Sequence, residues 1–266
     1  MAIHKTAIVS KKAEIDPSAE IGPFATVEEG VKLEKNVRIL AHAYICGGTE
    51  IKEATEVHMG AVLGHAPQDL AYEGKKTYLK IGRKNIIREY VTVHRGTKEG
   101  TATIIGDENF LMGLSHVGHN CNLGNRVVLA NGALLAGYAT VGDSAFISGN
   151  VVVHQFCNIG TLAIIGGFSG VNKDVPPYMA VRGPSSVWSV NLVGLRRAGF
   201  DRGAIRDIRE AFRLIYKSGL NTEQAVEKIL EMKPGKEATH LVEFIKNSKR
   251  GICKYRYTPE DKEYFG

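Results

Sequence analysis

Every sixth residue from Ile3 to Val171 is aliphatic, with three exceptions. Of the 29 positions in this phase, 26 carry Ile, Leu or Val; Asp69, Lys75 and Glu99 interrupt the series. Neither a helix nor an ordinary strand has a period of six. A triangular prism does: three short flat faces per turn, one inward aliphatic residue per face, and a tight corner between faces. Fixed-period self-similarity marks a solenoid, and a hexapeptide period marks a parallel β-helix. Stacked at the strand spacing of about 4.8 Å, about ten coils of roughly 18 residues would make a column near 48 Å tall.

The rest of each hexad agrees with a narrow prism. Two residues before the aliphatic site the side chain is usually small, as at Ala19, Ala25, Ala43, Ala61, Ala133, Ala139, Ala145 and Ala163. The residue after it is often glycine, as at Gly22, Gly82, Gly124, Gly142 and Gly160. These glycines are expected to supply the backbone angles of the corners. The phase fails at 69–80 and around 98–103, two polar stretches read as loops leaving the column. Loops on a rigid scaffold are where binding residues tend to sit. Asp174-Val175-Pro176-Pro177-Tyr178 closes the repeats, and its two prolines are expected to cap the stack by removing ladder donors.

The column is assigned to residues 1–185 and a helical domain to 186–266. Asp201 is a candidate N-cap before Ile205, Ile208, Phe212 and Ile215, which share one helix face. Ser218-Gly219 ends that helix. Asn221 or Thr222 begins a second, and a third follows Pro234-Gly235 and stops at Gly251. The segment from Tyr255 to Gly266 reads as an exposed tail. Three short helices bury little apolar area alone, so they are expected to pack on the column or on a neighbouring subunit.

Hydrophobic content of 44% and charged content of 23% are those of a globular protein. No charged start leads into an apolar stretch, so no signal peptide is expected. No apolar run approaches a membrane span, so no membrane insertion is expected. Cys46, Cys121, Cys157 and Cys253 lack paired spacing and are read as free thiols in a reducing compartment, the cytoplasm. Net charge is +6, and residues 190–266 hold 16 Lys and Arg against 11 Asp and Glu. No basic stripe interleaved with aromatics accompanies this excess, which argues against nucleic acid. An acidic protein partner or a phosphorylated small substrate explains it at least as well.

The chemistry concentrates at Ser115-His116-Val117-Gly118-His119-Asn120-Cys121. Val117 and Cys121 follow the inward pattern, so His119 is expected mid-face and outward. Imidazole suits proton transfer near neutral pH. One coil of 18 residues beyond His119 lands on Gly137, and a second on Gln155 beside His154. A glycine there leaves room for substrate and exposes an N–H that can hold an oxyanion.

Further motifs carry a resemblance. They are Pro67-Gln68-Asp69-Leu70, the run Ile87 to Thr97 (IREYVTVHRGT), His116-Val117-Gly118-His119, Leu135-Ala136-Gly137, His154-Gln155-Phe156-Cys157, Asp174 to Tyr178, and Asn191 to Phe200 (NLVGLRRAGF). With them the chain resembles the bacterial UDP-N-acetylglucosamine O-acyltransferases that begin lipid A biosynthesis, over nearly its whole length. The resemblance implies a mainly β chain, a left-handed parallel β-helix of hexapeptide repeats with a small C-terminal α-helical domain. It also implies a homotrimer with sites at subunit boundaries, and no metal or cofactor. His119 resembles the general base that takes the proton from the sugar 3-hydroxyl, and Gly137 the oxyanion donor. The acyl group would come as a 3-hydroxyacyl chain on acyl carrier protein, drawn by the basic helical region. Gln68 and Asp69 resemble sugar contacts, His116 and Gln155 cleft residues, and His154 a neighbour of the nucleotide or acyl arm. Asn191 and Arg197 match positions near the diphosphate, and Gly167 the position that sets acyl length. An open glycine there favours a long chain.

Three residues depart from the family pattern. Asn120 stands where some relatives have Asp beside the base, Ala71 where familiar members have Lys, and Tyr138 where they have His. These leave open the 3-amino analogue of the sugar, or another nucleotide sugar, as acceptor. Two alternatives from other classes are a zinc hydrolyase of the γ-carbonic anhydrase kind, with His116 and His119 among its ligands, and a non-catalytic solenoid. His94 is read as a packing residue, and His4, His42, His58, His65 and His240 as structural.

Overall fold

The structure is a computed structural model that describes residues 2–256. Each of the 26 aliphatic hexad sites lies in its own short strand, from Ala2–Ile3 to Gly170–Val171. These strands form three parallel sheets, the faces of a prism, with an aliphatic ladder inside. The first face begins with Ala2–Ile3, the second with Ile8–Val9 and the third with Glu14–Ile15. On the second face Val93, Val117, Leu135, Val153 and Val171 stand in register, one coil apart, all buried. The fold is a left-handed parallel β-helix with a small helical region after it.

The three broken hexads are accommodated without loss of phase. Ile51 pairs with Ile81, twelve residues further along than one 18-residue coil allows, and Ile81 with Ile105, six further. Both excursions, which run between His65 and Tyr78 and between His94 and Ala102, are thus whole numbers of hexads. A side chain that left facing inward therefore returns facing inward. The column consequently has nine coils, not ten, because the three missing ladder sites sit in the excursions.

The glycines play a different part from the one expected. The corner residue with left-handed backbone comes three places after the inward aliphatic and is rarely glycine: it is Phe24, Asn36, Tyr90, Asn120, Tyr138 or Phe156. Bonds to adjacent coils hold it there, as Tyr138 N–H to the His119 carbonyl at 2.9 Å. The glycines after the aliphatic sites serve close approach instead. A Cβ at Gly82 would lie 2.5 Å from the Gly106 carbonyl oxygen, and one at Gly118 2.8 Å from that of Leu135.

Nor do the prolines end the stack. Pro176 and Pro177 are buried in a turn, after which Met179–Arg182 joins the first face parallel to Ile164–Ile165. A hairpin then adds Ser186–Val190 antiparallel, and Lys254–Tyr255 completes that sheet. Tyr255 is therefore a paired strand residue, not tail; residues 257–266 of the expected tail lie outside the described residues.

Among the described residues four helices follow the hairpin, one more than expected. α1 (Leu192–Arg197) was hidden by its brevity; its N-cap is Asn191, whose side chain accepts from Gly194 N–H. α2 (Arg202–Lys217) is capped by Asp201, and α3 (Thr222–Glu231) by Asn221 in a capping box with Gln224. α4 (Lys236–Asn247) stops at Ser248, before Gly251, and the Ser248 hydroxyl donates to Asp174 Oδ2 at 2.7 Å. Asp174 is wholly buried and also accepts from Asn158 N–H at 2.8 Å. It fastens the helices to the column, whose apolar core continues into Ile208, Ala211, Ile229 and Leu241.

Candidate active site

His119 occupies a corner, not the middle of a face. The strand His116–Val117 on the second face ends, His119 and Asn120 turn, and Asn122–Leu123 opens the third face. Gly137 and Gln155 take the same corner one and two coils on. A corner lets the ring look out along the edge of the prism while its backbone stays in the ladder. The His119 side chain keeps 12% of its surface exposed, so it is not sealed in the core.

Its tautomer follows from its neighbours. Asn120 Oδ1 accepts from the backbone N–H of Thr97 at 3.0 Å and lies 3.1 Å from His119 Nδ1. A backbone N–H can only donate, so the Asn120 atom facing it is the oxygen. That oxygen can only accept, so Nδ1 carries the ring proton and Nε2 presents a lone pair. Gly137 packs against this ring so closely that a Cβ on it would lie 2.5 Å from Nε2. Among the described residues the Gly137 N–H has no hydrogen-bond partner.

Asp69 is the unexpected neighbour. The first excursion brings its Oδ2 to 3.7 Å from His119 Nε2, while its Oδ1 accepts from Ala71 N–H at 3.0 Å. An unprotonated Nε2 cannot donate to that carboxylate, but the attraction appears once the ring gains a proton. Sequence reading assigned Asp69 to the sugar alone, because a loop that leaves the repeat has no register from which to infer contacts. Gln68 beside it is exposed.

A row of imidazoles runs from coil to coil along the second face, from His116 through buried His94 to exposed His65. His116 meets His94 edge to face at 4.8 Å between ring centres, and His94 lies 6.4 Å from His65. Burial, helped by the charges of His116, His65 and His119, pushes His94 down to about 4. Burial and then His119 lower His116, whose Nδ1 is 2.7 Å from the Thr92 hydroxyl. Both rings therefore favour the neutral form. Neither His65 nor His94 is marked as a site residue by the sequence: the register sets Thr92 opposite His116, and His65 meets His94 only after a register shift at the end of its strand.

The other candidates are spread over the molecule. His154 and Gln155 are exposed, with His154 Nδ1 3.0 Å from the Gln155 carbonyl oxygen. Gly167 is an exposed corner residue between the first and second faces, the opposite edge of the second face from His119. Asn191 spends its side chain on structure: besides capping α1 it donates to the Leu162 carbonyl at 2.8 Å. Arg197 ends α1 and is exposed. Close to it Arg196, Arg202, Arg206, Arg209, Arg213 and Lys217 line a cleft of 970 Å³. All four cysteines are free and buried, and burial pushes the Cys121 thiol up to about 12. Among the described residues no group of three His, Cys, Asp or Glu side chains has metal-binding geometry. His116 and His119 have their Nδ1 atoms committed to Thr92 and Asn120.

Comparison with known proteins shows the family. Residues 174–253 match the family described as UDP N-acetylglucosamine O-acyltransferase, domain 2. The chain is 44% identical to the acyl-[acyl-carrier-protein]–UDP-N-acetylglucosamine O-acyltransferase of Thermodesulfovibrio yellowstonii, across 95% of this chain and 99% of that protein. LpxA from Acinetobacter baumannii superposes with a TM-score of 0.92 at 36% identity, over 96% of this chain and 100% of that one. LpxA from Bacteroides fragilis, a UDP-N-acetylglucosamine acyltransferase, does so at 0.90 and 39%, over 94% and 98%. At this identity and coverage, the chain belongs to the acyl-[acyl-carrier-protein]–UDP-N-acetylglucosamine O-acyltransferase family.

Proposed function

We infer that this protein transfers a 3-hydroxyacyl chain from acyl carrier protein to the 3-hydroxyl of UDP-N-acetylglucosamine, the opening step of lipid A biosynthesis. The observation that carries the reading is the pairing of an Nε2 lone pair on His119 with the unpartnered N–H of Gly137 at one corner. Nε2 takes the proton of the sugar 3-hydroxyl as that oxygen attacks the thioester carbonyl. The Gly137 N–H holds the resulting oxyanion. As the tetrahedral intermediate collapses, the C–S bond breaks and the imidazolium returns its proton to the leaving thiolate. Asp69 stabilises the imidazolium in between. The thioester is already activated, so these steps call on no metal or cofactor.

The remaining assignments fit a site shared between subunits. Leu134 and Val152 are exposed side by side on the second face, and Leu114 and Phe168 are exposed on its far edge, Phe168 at 84%. An apolar patch of this kind marks an interface. Three prisms closing around an axis would cover it and bring the Gly167 edge of one chain towards the His119 edge of another. Gln68, Asp69, His116, His154 and Gln155 would then line one cleft for sugar and acyl chain, with Gly167 setting chain length. Arg197 and the neighbouring arginine cleft suit the diphosphate and the acidic carrier protein. For Asn191 the support is motif position alone, since its side chain is engaged. No helix among the described residues is long and apolar enough to cross a membrane. The proposed compartment is the cytoplasm, where buried thiols stay reduced.

The test is mass spectrometry of products formed from UDP-N-acetylglucosamine and its 3-amino analogue, each offered a mixed set of acyl carriers. An O-acylated product is expected. Amide formation alone would shift the acceptor to the amino sugar, and absence of either product would overturn the reading.

A further inference from the structure

Two of the residues that depart from the family pattern, Asn120 and Tyr138, belong to one hydrogen-bonded chain whose middle link is Thr97. The Thr97 hydroxyl is 2.9 Å from Asn120 Oδ1 and 3.0 Å from the Tyr138 hydroxyl. Asn120 Oδ1 is an acceptor only, so Thr97 donates to it. Its proton being committed, Thr97 Oγ1 accepts from Tyr138. The order is therefore fixed: the Tyr138 hydroxyl donates to Thr97, Thr97 donates to Asn120, and the same Asn120 oxygen accepts from His119 Nδ1.

Thr97 reaches this place because the chain leaves the column. It lies in the second excursion, one hexad long, and is buried there. The excursion is pinned on both sides: Gly96 N–H donates to the Tyr78 carbonyl at 3.1 Å, and Gly100 N–H to that of Lys76 at 2.9 Å. It is also tightly folded, since a Cβ at Gly96 would lie 2.6 Å from the Thr101 carbonyl oxygen. Asn120 is held from its other side by its own N–H, which donates to Thr103 Oγ1 at 2.8 Å. Tyr138 is positioned by its ring, edge-on to His119 at 5.2 Å and stacked on Phe156 at 4.9 Å.

We propose that Thr97 and Tyr138 are positioning residues that hold the Asn120 amide with its oxygen towards His119 and so keep the base in its reactive tautomer. The inference rests on His119 being the base. A carboxylate beside imidazole presents oxygen whichever way it turns. An amide does not: if it flips, its NH₂ faces Nδ1, the ring proton moves to Nε2, and the base is lost. Thr97 blocks the flip with two donors. Its backbone N–H can never accept from an NH₂. Its hydroxyl proton is directed at Oδ1, and the bond from the Tyr138 hydroxyl to Thr97 Oγ1 fixes that rotor in place. Tyr138 therefore acts through Thr97 and has no separate route to the base in this respect.

The experiment combines kinetics with nitrogen-15 NMR of histidine-labelled full-length protein, His119 being assigned by loss of its signals in His119→Ala. The variants are Thr97→Val, Thr97→Ser, Tyr138→Phe and the double variant Thr97→Val with Tyr138→Phe. In the unaltered protein the His119 spectrum should show a protonated Nδ1 and an unprotonated Nε2. Thr97→Val should lower kcat about tenfold, with KM for both substrates within about twofold, and should populate the Nε2-protonated form. Tyr138→Phe should do the same to a smaller degree, Thr97→Ser should restore both readouts, and the double variant should be no worse than Thr97→Val alone. Unchanged tautomers in both single variants, or losses that multiply in the double variant, would overturn the proposal. A His119→Ala protein that kept its turnover would instead overturn the base assignment, while the tautomer readout would still judge the positioning chain.

Discussion

The backbone of Gly137 lies against the imidazole of His119 with no room for a methyl group between them, since a Cβ would come to 2.5 Å from Nε2. A ladder hydrogen bond joins these two corners, one coil apart: Tyr138 N–H reaches the His119 carbonyl, and Phe156 N–H in turn ties the Gly137 carbonyl to the next coil. The proposed base and the proposed oxyanion donor thus rise from backbone held in one repeat.

Gly137→Ala should therefore cost more activity than its size suggests. The methyl would displace the ring and tilt the N–H from the oxyanion. A fall in kcat of about 100-fold or more is expected, with circular dichroism and thermal midpoint close to those of the parent. His119→Ala should lose about 1,000-fold or more while folding normally. Steady-state rates on purified protein check both, and near-normal turnover in either would refute the corner as the catalytic centre.

Asn120→Asp introduces a negative charge beside Nδ1 without disturbing the Thr97 donors. A neighbouring carboxylate favours imidazolium, so the base stays protonated to higher pH. The acid limb of kcat/KM should move up by about one unit. A limb that stays put or moves down would show that position 120 does not touch the base electrostatically.

The buried imidazoles set a pH dependence of stability. His94 titrates near 4 in the folded chain, against about 6.5 when unfolded. Below 6.5 the unfolded chain takes up a proton that the folded chain refuses, so acid favours unfolding. The contribution of this group should be full above pH 6.5, fall between 6.5 and 4, and level off below 4. The size is on the order of 3 kcal/mol from this group. Thermal midpoints across that range should show the slope, and His94→Asn should flatten it.

The exposed apolar patch predicts assembly. Leu134→Glu or Val152→Glu places a charge on the second face, where both side chains stand clear of the core. Sedimentation should show a trimer for the parent and smaller species for the variants, each with the β spectrum retained. Variants that remain trimeric would place the subunit interface elsewhere.

Gly167→Met tests the acyl ruler. The residue is an exposed corner where a Cβ would come no closer than 3.4 Å to its nearest neighbour, the Gly149 carbonyl oxygen, so a side chain can be accommodated. Competition between carriers of different chain length should shift towards the shorter acyl group, and an unaltered preference would remove Gly167 from the site.

The period of six determined the interior of this protein by itself. An inward aliphatic residue at each sixth place can be satisfied only by a three-sided stack, and every such residue from Ile3 to Val171 lies in a strand of that stack. The cap at Asp201 was legible for the same reason, and the second was narrowed to Asn221 or Thr222: caps are local, and hydrogen-bond within three residues. What the repeat did not decide was anything that leaves it. Asp69 and Thr97 come from excursions, whose path depends on contacts far along the chain, and only the folded molecule brings one to Nε2 and the other to Asn120. Even the glycines beside the ladder answer to tertiary structure, since their need is room for the next coil and not freedom of their own backbone. Periodicity encodes which way a side chain faces; which partners it meets is settled by stacking distant segments of chain against one another.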